Sequence, residues 1–119
     1  MYKVVVKGKP VAKQRPRLVG TRVYTPKETH DYEALVRTAA RRAGVKAIVG
    51  SVSLSVSFYM PTKHHVDVDN LLKSVMDGLN GVAYEDDTQV VHVQAWKSYD
   101  KDQPRCSIFI QATSDPSES

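Results

Sequence analysis

The sequence contains a single cysteine, Cys106, among its 119 residues. One thiol excludes an intrachain disulfide and a zinc site built from several thiolates, and such scarcity is typical of proteins in a reducing compartment. The chain also lacks an apolar run long enough to span a bilayer, and its N-terminal segment has no hydrophobic signal region. We therefore expect a cytoplasmic protein with no membrane attachment.

Acidic residues are scarce in the first part of the chain. Residues 1–50 hold twelve of the seventeen Lys and Arg but only three of the thirteen Asp and Glu, a formal charge of +9, whereas the remainder carries −5. This asymmetry is typical of a phosphate-binding surface beside a divalent-metal site. Scattered, solvated charge would give the same totals, so the charge distribution alone leaves both interpretations open.

The hydrophobic pattern predicts one small α+β domain. With 41% hydrophobic residues, a chain of this length can bury one core. Alternating and helically spaced apolar residues predict the order strand, helix, strand, helix, strand, strand around one mixed sheet. The predicted domain covers residues 1–112, and residues 113–119 form a polar tail that we expect to be disordered.

Helix signals predict where the two helices begin and end. The segment TPKE at 25–28 contains an N-cap threonine, a first-turn proline and the acid of a capping box, so the first helix should begin there and end near Gly44. The second helix should be capped by Asp67 or Asp69 and should end at residues 80–81.

Other segments give narrower expectations. The basic segment 9–24 has too many prolines, glycines and cations for a core element, and it predicts a loop with a short ribbon around Gly20. Residues 103–104 predict a hairpin between the last two strands. Trp96 lies in a strand pattern and is expected in the core, and Cys106 is expected to be a buried strand residue with no role as a nucleophile.

Two carboxylates stand two residues apart in HHVDVDN, just before the second predicted helix. On an extended segment Asp67 and Asp69 would point the same way, and Asp87 from the acidic turn EDD could complete a set of oxygen ligands suited to Mg²⁺. Bound Mg²⁺ can neutralise the transition-state charge of phosphodiester hydrolysis and activate water. The alternative is an ordinary helix cap and an ordinary solvated turn.

Lys73 follows Asp69 by one helical turn and lies on the same side of the helix. It could contact a phosphate oxygen or the leaving group, or it could simply pair with Asp77, which we expect to be structural. His64 and His65 stand just before the aspartates, but magnesium chemistry does not favour imidazole ligands.

The basic loop offers cationic side chains suited to phosphate. Arg15 and Arg17 flank a proline that restricts their freedom, and Lys13 and Arg22 lie on either side. The alternative is a mobile surface loop without a ligand.

Three segments together, KGKPVAKQRPR, VYTPKETHDYE and DVDNLLKSVMDGLNGVAYEDDTQV, resemble the RusA family of Holliday junction resolvases from about Lys7 to Val91. The resemblance implies a small homodimeric endonuclease of bacterial or phage origin that resolves four-way junction DNA by paired symmetric nicks. It also implies dependence on Mg²⁺, with Mn²⁺ as a possible substitute. It favours the metal site over the helix cap.

The resemblance also assigns roles to matching positions. Lys73 would be a phosphate contact or an electrostatic stabiliser, and Asn70 would orient a ligand or cap the helix. The catalytic carboxylates would be Asp67, Asp69 and Asp87, with Asp86 beside them at the metal. The DNA surface would include Lys13, Arg15, Arg17, Arg22 and Lys73.

The chain departs from the family pattern just before the first aspartate. Some relatives carry a basic cluster there, whereas this chain has Lys63, His64, His65 and Val66. Two other classes of function stay open: a junction-binding protein that does not cleave, and a metal-dependent hydrolase of small nucleotides. The acids and Lys73 argue against the first class, and the strongly basic first half argues against the second.

Overall fold

The computed structural model of the chain describes residues 1–14, 17–19, 22–24 and 26–114. Its elements are β1 (Tyr2–Lys7), β2 (Arg17–Val19), β3 (Arg22–Tyr24), α1 (Lys27–Arg42), β4 (Val52–Met60), α2 (Val68–Leu79), a 3-10 helix (Asp87–Gln89), β5 (Val90–Tyr99) and β6 (Arg105–Ala112). Strands β1, β4, β5 and β6 form one mixed sheet, and β2 pairs with β3 as a separate ribbon. The predicted α+β class and the short ribbon are confirmed.

The strand order in the sheet is β1-β6-β4-β5. Strand β6 runs antiparallel to both β1 and β4, while β4 and β5 are parallel. The predicted hairpin between the last two strands is therefore wrong, because β4 lies between them. Strand β6 holds an inner place with Cys106, Ile108 and Ile110 fully buried, whereas β5, which has no buried residue, lies at the edge.

The core lies between one face of the sheet and the two helices. Strand β4 alternates strictly, with serines on one face and buried apolar residues on the other, as predicted. The helices contribute apolar stripes to the same cluster. The largest buried side chains of this core include Tyr84, Phe58, Leu54, Leu71, Leu79, Ile108 and Ile110.

The helices begin and end close to the predicted positions. Helix α1 begins at Lys27 with Pro26 as its N-cap and makes no side-chain capping hydrogen bond, and the predicted cap at Thr25 lies outside the described residues. Helix α2 begins after Asp67 and ends at Asn80, where Gly81 adopts a φ of 80° that suits glycine. No helix in the described ranges is long and apolar enough to cross a membrane.

Helix α1 and helix α2 approach each other closely at Gly78. A Cβ atom at this position would lie 2.9 Å from both the carbonyl oxygen of Glu33 and the Cβ of Val36. Glycine is therefore required by the distance between the two helix backbones, and this contact fixes how α2 is held against α1.

Trp96 is half exposed, so the prediction that it belongs to the core is wrong. It pairs with Ser57 in the register of β4 and β5 and shares with it the face of the sheet that points away from the helices. The helices cover only the opposite face of the sheet. Strand periodicity placed Trp96 on a strand correctly, but it does not show which face of the sheet the helices cover.

Candidate active site

The paired aspartates lie at the beginning of α2. Asp67 is the N-cap residue, and its side chain makes no capping hydrogen bond, while its carbonyl oxygen accepts from the N–H groups of Asn70 and Leu71 at 3.1 Å. Asp69 is already in the first helical turn, so the expectation that both residues lie on an extended segment is wrong. Side chains that are two positions apart on a helix face different directions. The side chains of Asp67 and Asp69 are both exposed.

Lys73 connects this helix to the acidic turn. Its ammonium lies 3.2 Å from Asp77 Oδ1 and 3.9 Å from Asp87 Oδ2, and its side chain is 54% exposed. The ordinary pairing with Asp77 is therefore present, and so is the proximity to Asp87. Because Asp69, Lys73 and Asp77 are spaced four apart, they follow one another along one side of α2.

Lys13 is held in a network of ion pairs between the helices. Its ammonium lies 2.7 Å from Glu33 Oε1 on α1 and 3.0 Å from Asp77 Oδ2 on α2. Partial burial works against its charge, but hydrogen bonds with these two carboxylates outweigh burial and raise the pKa of Lys13 above its ordinary value. Lys13 thus has a structural partner on each helix, and its contact with DNA stays a prediction.

Backbone contacts anchor the start of the basic loop beside α2. The Lys13 N–H donates to the carbonyl of Asn70 at 2.8 Å, and the Ser74 hydroxyl donates to the carbonyl of Val11 at 2.6 Å. The Gln14 N–H donates to the Thr29 hydroxyl at 3.3 Å. The chain therefore enters the basic loop from a position fixed against both helices, next to the acidic residues of α2.

The arginines of the basic loop stay predictions. Arg15 lies outside the described residues, and Arg17 and Arg22 are described only as backbone positions at the ends of the paired strands β2 and β3. His64 and His65 are exposed in the loop before α2, and Asn70 is exposed in its first turn.

The acidic turn is a short 3-10 helix just before β5. Asp86 is its N-cap and accepts a hydrogen bond from the Thr88 N–H at 3.3 Å. Hydrogen bonding with the Thr88 side chain and then with its N–H lowers the pKa of the Asp86 carboxyl. Asp87 begins the helix and is partly exposed. Asp86 therefore has a capping role, while Asp87 faces Lys73.

Tyr84 fixes the segment that leads into this turn. The side chain is fully buried, and its hydroxyl donates to the carbonyl of Met76 on α2 at 2.9 Å. Burial raises the pKa of Tyr84 well above its usual range, so the hydroxyl stays a donor. The turn that carries Asp87 is thereby tied to the helix that carries Lys73.

The described residues offer donor atoms suited to a metal ion, but these atoms are not gathered into one metal site. Within the described residues no three His, Cys, Asp or Glu side chains lie close enough together to hold one metal ion. The donor type still fits a hard divalent cation, because Asp67, Asp69 and Asp87 offer only oxygen. Asp67 also uses no side-chain hydrogen bond for capping, which leaves its carboxylate available as a ligand.

Several residues at the site were not predicted from the sequence. Glu33 and Ser74 gave no local signal, because their partners lie 20 and 63 positions away. Gln89 did leave a signal: Asp86 and Gln89 are spaced as in a capping box, and both of its hydrogen bonds are present.

Comparisons with known proteins identify the family of this chain. The model of the family described as endodeoxyribonuclease RusA matches residues 7–111. Uncharacterized protein YqaN of Bacillus subtilis (strain 168) is 32% identical over an alignment of 140 positions, which covers 94% of this chain and 96% of that protein. The family match includes both helices, the acidic turn, β4, β5 and nearly all of β6, whereas β1 lies almost entirely before it. The chain belongs to the RusA family of endodeoxyribonucleases.

Proposed function

We propose that this protein is a Holliday junction resolvase that cuts four-way DNA junctions in recombination and repair. The observation that carries the proposal is the beginning of α2, where Asp67 and Asp69 are exposed and Asp67 takes no part in side-chain capping. An aspartate that only capped the helix would be expected to bond an N–H of the first turn. These carboxylates stand within two turns of Lys73, which reaches Asp87.

The reaction is proposed to depend on Mg²⁺, with Mn²⁺ as a substitute. Asp67, Asp69 and Asp87 would hold the ion, with Asp86 beside them, and the ion would supply an activated water and neutralise charge on the reacting phosphate. Lys73 would contribute a positive charge to the phosphate, since its ammonium already lies between Asp77 and Asp87. Asn70 would support the beginning of the helix.

Lys13 and the arginines of the basic loop, Arg15, Arg17 and Arg22, are proposed to contact DNA phosphates. Support comes from the anchoring of residues 11–14 against α2, which makes the loop emerge next to the acidic residues. Phosphate contacts would position the junction and contribute no sequence preference of their own.

The working unit is proposed to be a homodimer that makes paired symmetric nicks. A junction offers two equivalent strands, so a twofold dimer can present one site to each. Strand β5 supports a second copy as the partner: it is a ten-residue edge strand with no charged residue before Lys97. Long uncharged edges favour pairing with another strand.

Exposed side chains and charge favour pairing of β5 with its own copy. Val93 and Tyr99 are exposed on the helix side of the sheet and Trp96 on the other side, so only a partner that meets the edge would cover all three. Antiparallel pairing would bring the acidic residues 85–87 at one end towards Lys97 at the opposite end of the partner strand.

A cleavage assay tests the proposed function against its alternatives. A four-way junction, a linear duplex and a mononucleotide are each incubated with the protein, with and without Mg²⁺. A resolvase cuts the junction alone and only with the ion. Binding of the junction without cutting would instead indicate a junction-binding protein, and hydrolysis of the mononucleotide would indicate a small-nucleotide hydrolase.

A further inference from the structure

The side chain of Gln89 makes four hydrogen bonds, all to backbone groups. Its Oε1 accepts from the N–H groups of Glu85 at 2.9 Å and Asp86 at 3.2 Å. Its Nε2 donates to the carbonyl oxygens of Ile48 and Gly50, each at 2.8 Å. The partners fix the orientation of the amide, because two N–H groups require its oxygen and two carbonyls require its nitrogen.

These bonds connect two segments that are distant in the sequence, since Gln89 lies 41 positions after Ile48. The loop at residues 47–50 and the acidic turn at residues 85–89 face each other across an open cleft of about 500 Å³. In this loop Val49 is 97% exposed, whereas Ile48 is partly buried against the core. The Ile48 N–H donates to the carbonyl of Ala83 at 2.9 Å, which fixes the position of the loop. Gln89 can therefore hold the acidic turn against a loop that is itself held in place.

We propose that Gln89 is a positioning residue that sets the place of Asp87 relative to Lys73. Gln89 ends the short helix that Asp87 begins, so the carboxylate moves with the turn that the amide holds. This inference rests on the proposed function, because it gives Asp87 a role at the reacting phosphate. Residues that orient a ligand through a hydrogen bond typically change metal affinity or activity roughly 10- to 100-fold when they are replaced.

The bonds accepted by Gln89 Oε1 and those donated by Gln89 Nε2 can be tested separately. Gln89→Ala removes all four bonds, whereas Gln89→Glu keeps an acceptor for the N–H groups of Glu85 and Asp86 and removes both donors. Gln111→Ala is the matched control, because Gln111 is an exposed glutamine on β6 and takes part in none of these bonds.

The first measurement is amide hydrogen exchange by NMR, which needs neither metal nor substrate. Gln89→Ala should speed the exchange of the Glu85 and Asp86 amides and leave the exchange of the β4 amides unchanged. Gln89→Glu should retain most of the protection at these two amides, and Gln111→Ala all of it. Unchanged exchange of these two amides in Gln89→Ala would show that Gln89 does not hold the acidic turn, whatever the activity of the protein.

The second measurement is junction cleavage. Gln89→Ala should lower kcat roughly 10- to 100-fold with little change in KM for the junction. Gln89→Glu should also lower kcat and serves as the test if Gln89→Ala does not fold. A loss of kcat and of thermal stability in Gln111→Ala equal to the loss in Gln89→Ala would overturn the positioning role. So would a normal kcat in both Gln89 variants. A wild-type protein that does not cut would instead overturn the proposed function.

Discussion

Asp69, Lys73 and Asp77 occupy successive turns on one side of α2, so a carboxylate, an ammonium and a second carboxylate follow one another along the helix. Their environments differ. Asp77 is engaged by both Lys13 and Lys73, which gives it a structural role, whereas Asp69 is exposed at the beginning of the helix. The sequence predicted the pairing of Lys73 with Asp77 from spacing, because positions four apart on a helix are neighbours, whereas the ligand role of Asp69 stays a prediction.

Asp69→Asn is the most informative single change at this scale. Asparagine keeps the shape of the side chain and removes the charge, so we expect junction cleavage to fall by orders of magnitude while junction binding is retained. Cleavage rates and gel-shift affinities measure the two effects. The control is Asp102→Asn, which changes an exposed aspartate in the turn before β6 and should alter neither cleavage nor binding. A near-normal cleavage rate for Asp69→Asn would contradict the proposed ligand role.

Cys106 gives a prediction about pH. Burial raises the pKa of its thiol to about 12, so the folded protein should react slowly with thiol reagents at pH 8 and rapidly once it is unfolded. Above the ordinary thiol pKa of about 8.5, only the unfolded chain ionises, and stability should therefore fall as the pH rises. Fast labelling of the native protein would show that the thiol is accessible.

Single elements were predicted well where their signal is local. The alternation of β4 and β6 identified their buried faces, and turn residues located the end of α2. The neighbours of each strand were not predictable in this way. Turn residues favoured a hairpin between β5 and β6, but β4 pairs between them. Strand β6 has three buried residues and both edges paired, whereas β5 has no buried residue and lies at the edge of the sheet.

Gly78 tests how α2 is held against α1. A methyl group there would meet the Glu33 carbonyl and Val36, so Gly78→Ala should destabilise the fold by about 1–3 kcal/mol although alanine favours helices. Urea unfolding measures the change. Thr38→Ala adds helix propensity at an exposed position of α1 without such a contact, and it should be neutral or stabilising. Equal stability of Gly78→Ala and wild type would mean that the helices move apart easily.

On the scale of the whole molecule, the basic part and the acidic part of the chain supply different elements of the fold. The basic first half of the chain supplies β1, the ribbon and α1, and the acidic remainder supplies α2 and the turn before β5. The sequence predicted that a basic surface would adjoin an acidic site, but it could not identify an interface. Edge position depends on strand order, so the exposure of β5 became visible only in the fold.

The proposed dimer can be tested at β5. Light scattering should give about twice the 13.3 kDa mass of the chain, and Val93→Lys or Trp96→Lys should shift the protein to monomer by placing a charge in the paired edge. Leu35→Lys introduces the same charge at an exposed leucine of α1 and should leave the dimer intact. A dimer that survives both β5 changes would place the interface elsewhere.

Paired symmetric cutting is the central claim, and a supercoiled plasmid that extrudes a cruciform tests it most directly. Each plasmid presents one four-way junction, and two coupled nicks across that junction convert it to a linear molecule, whereas a single nick relaxes it to an open circle. With Mg²⁺ present, we predict linear product with little open circle along the time course. Accumulation of open circles as the end product, or no cutting at all, would contradict the account.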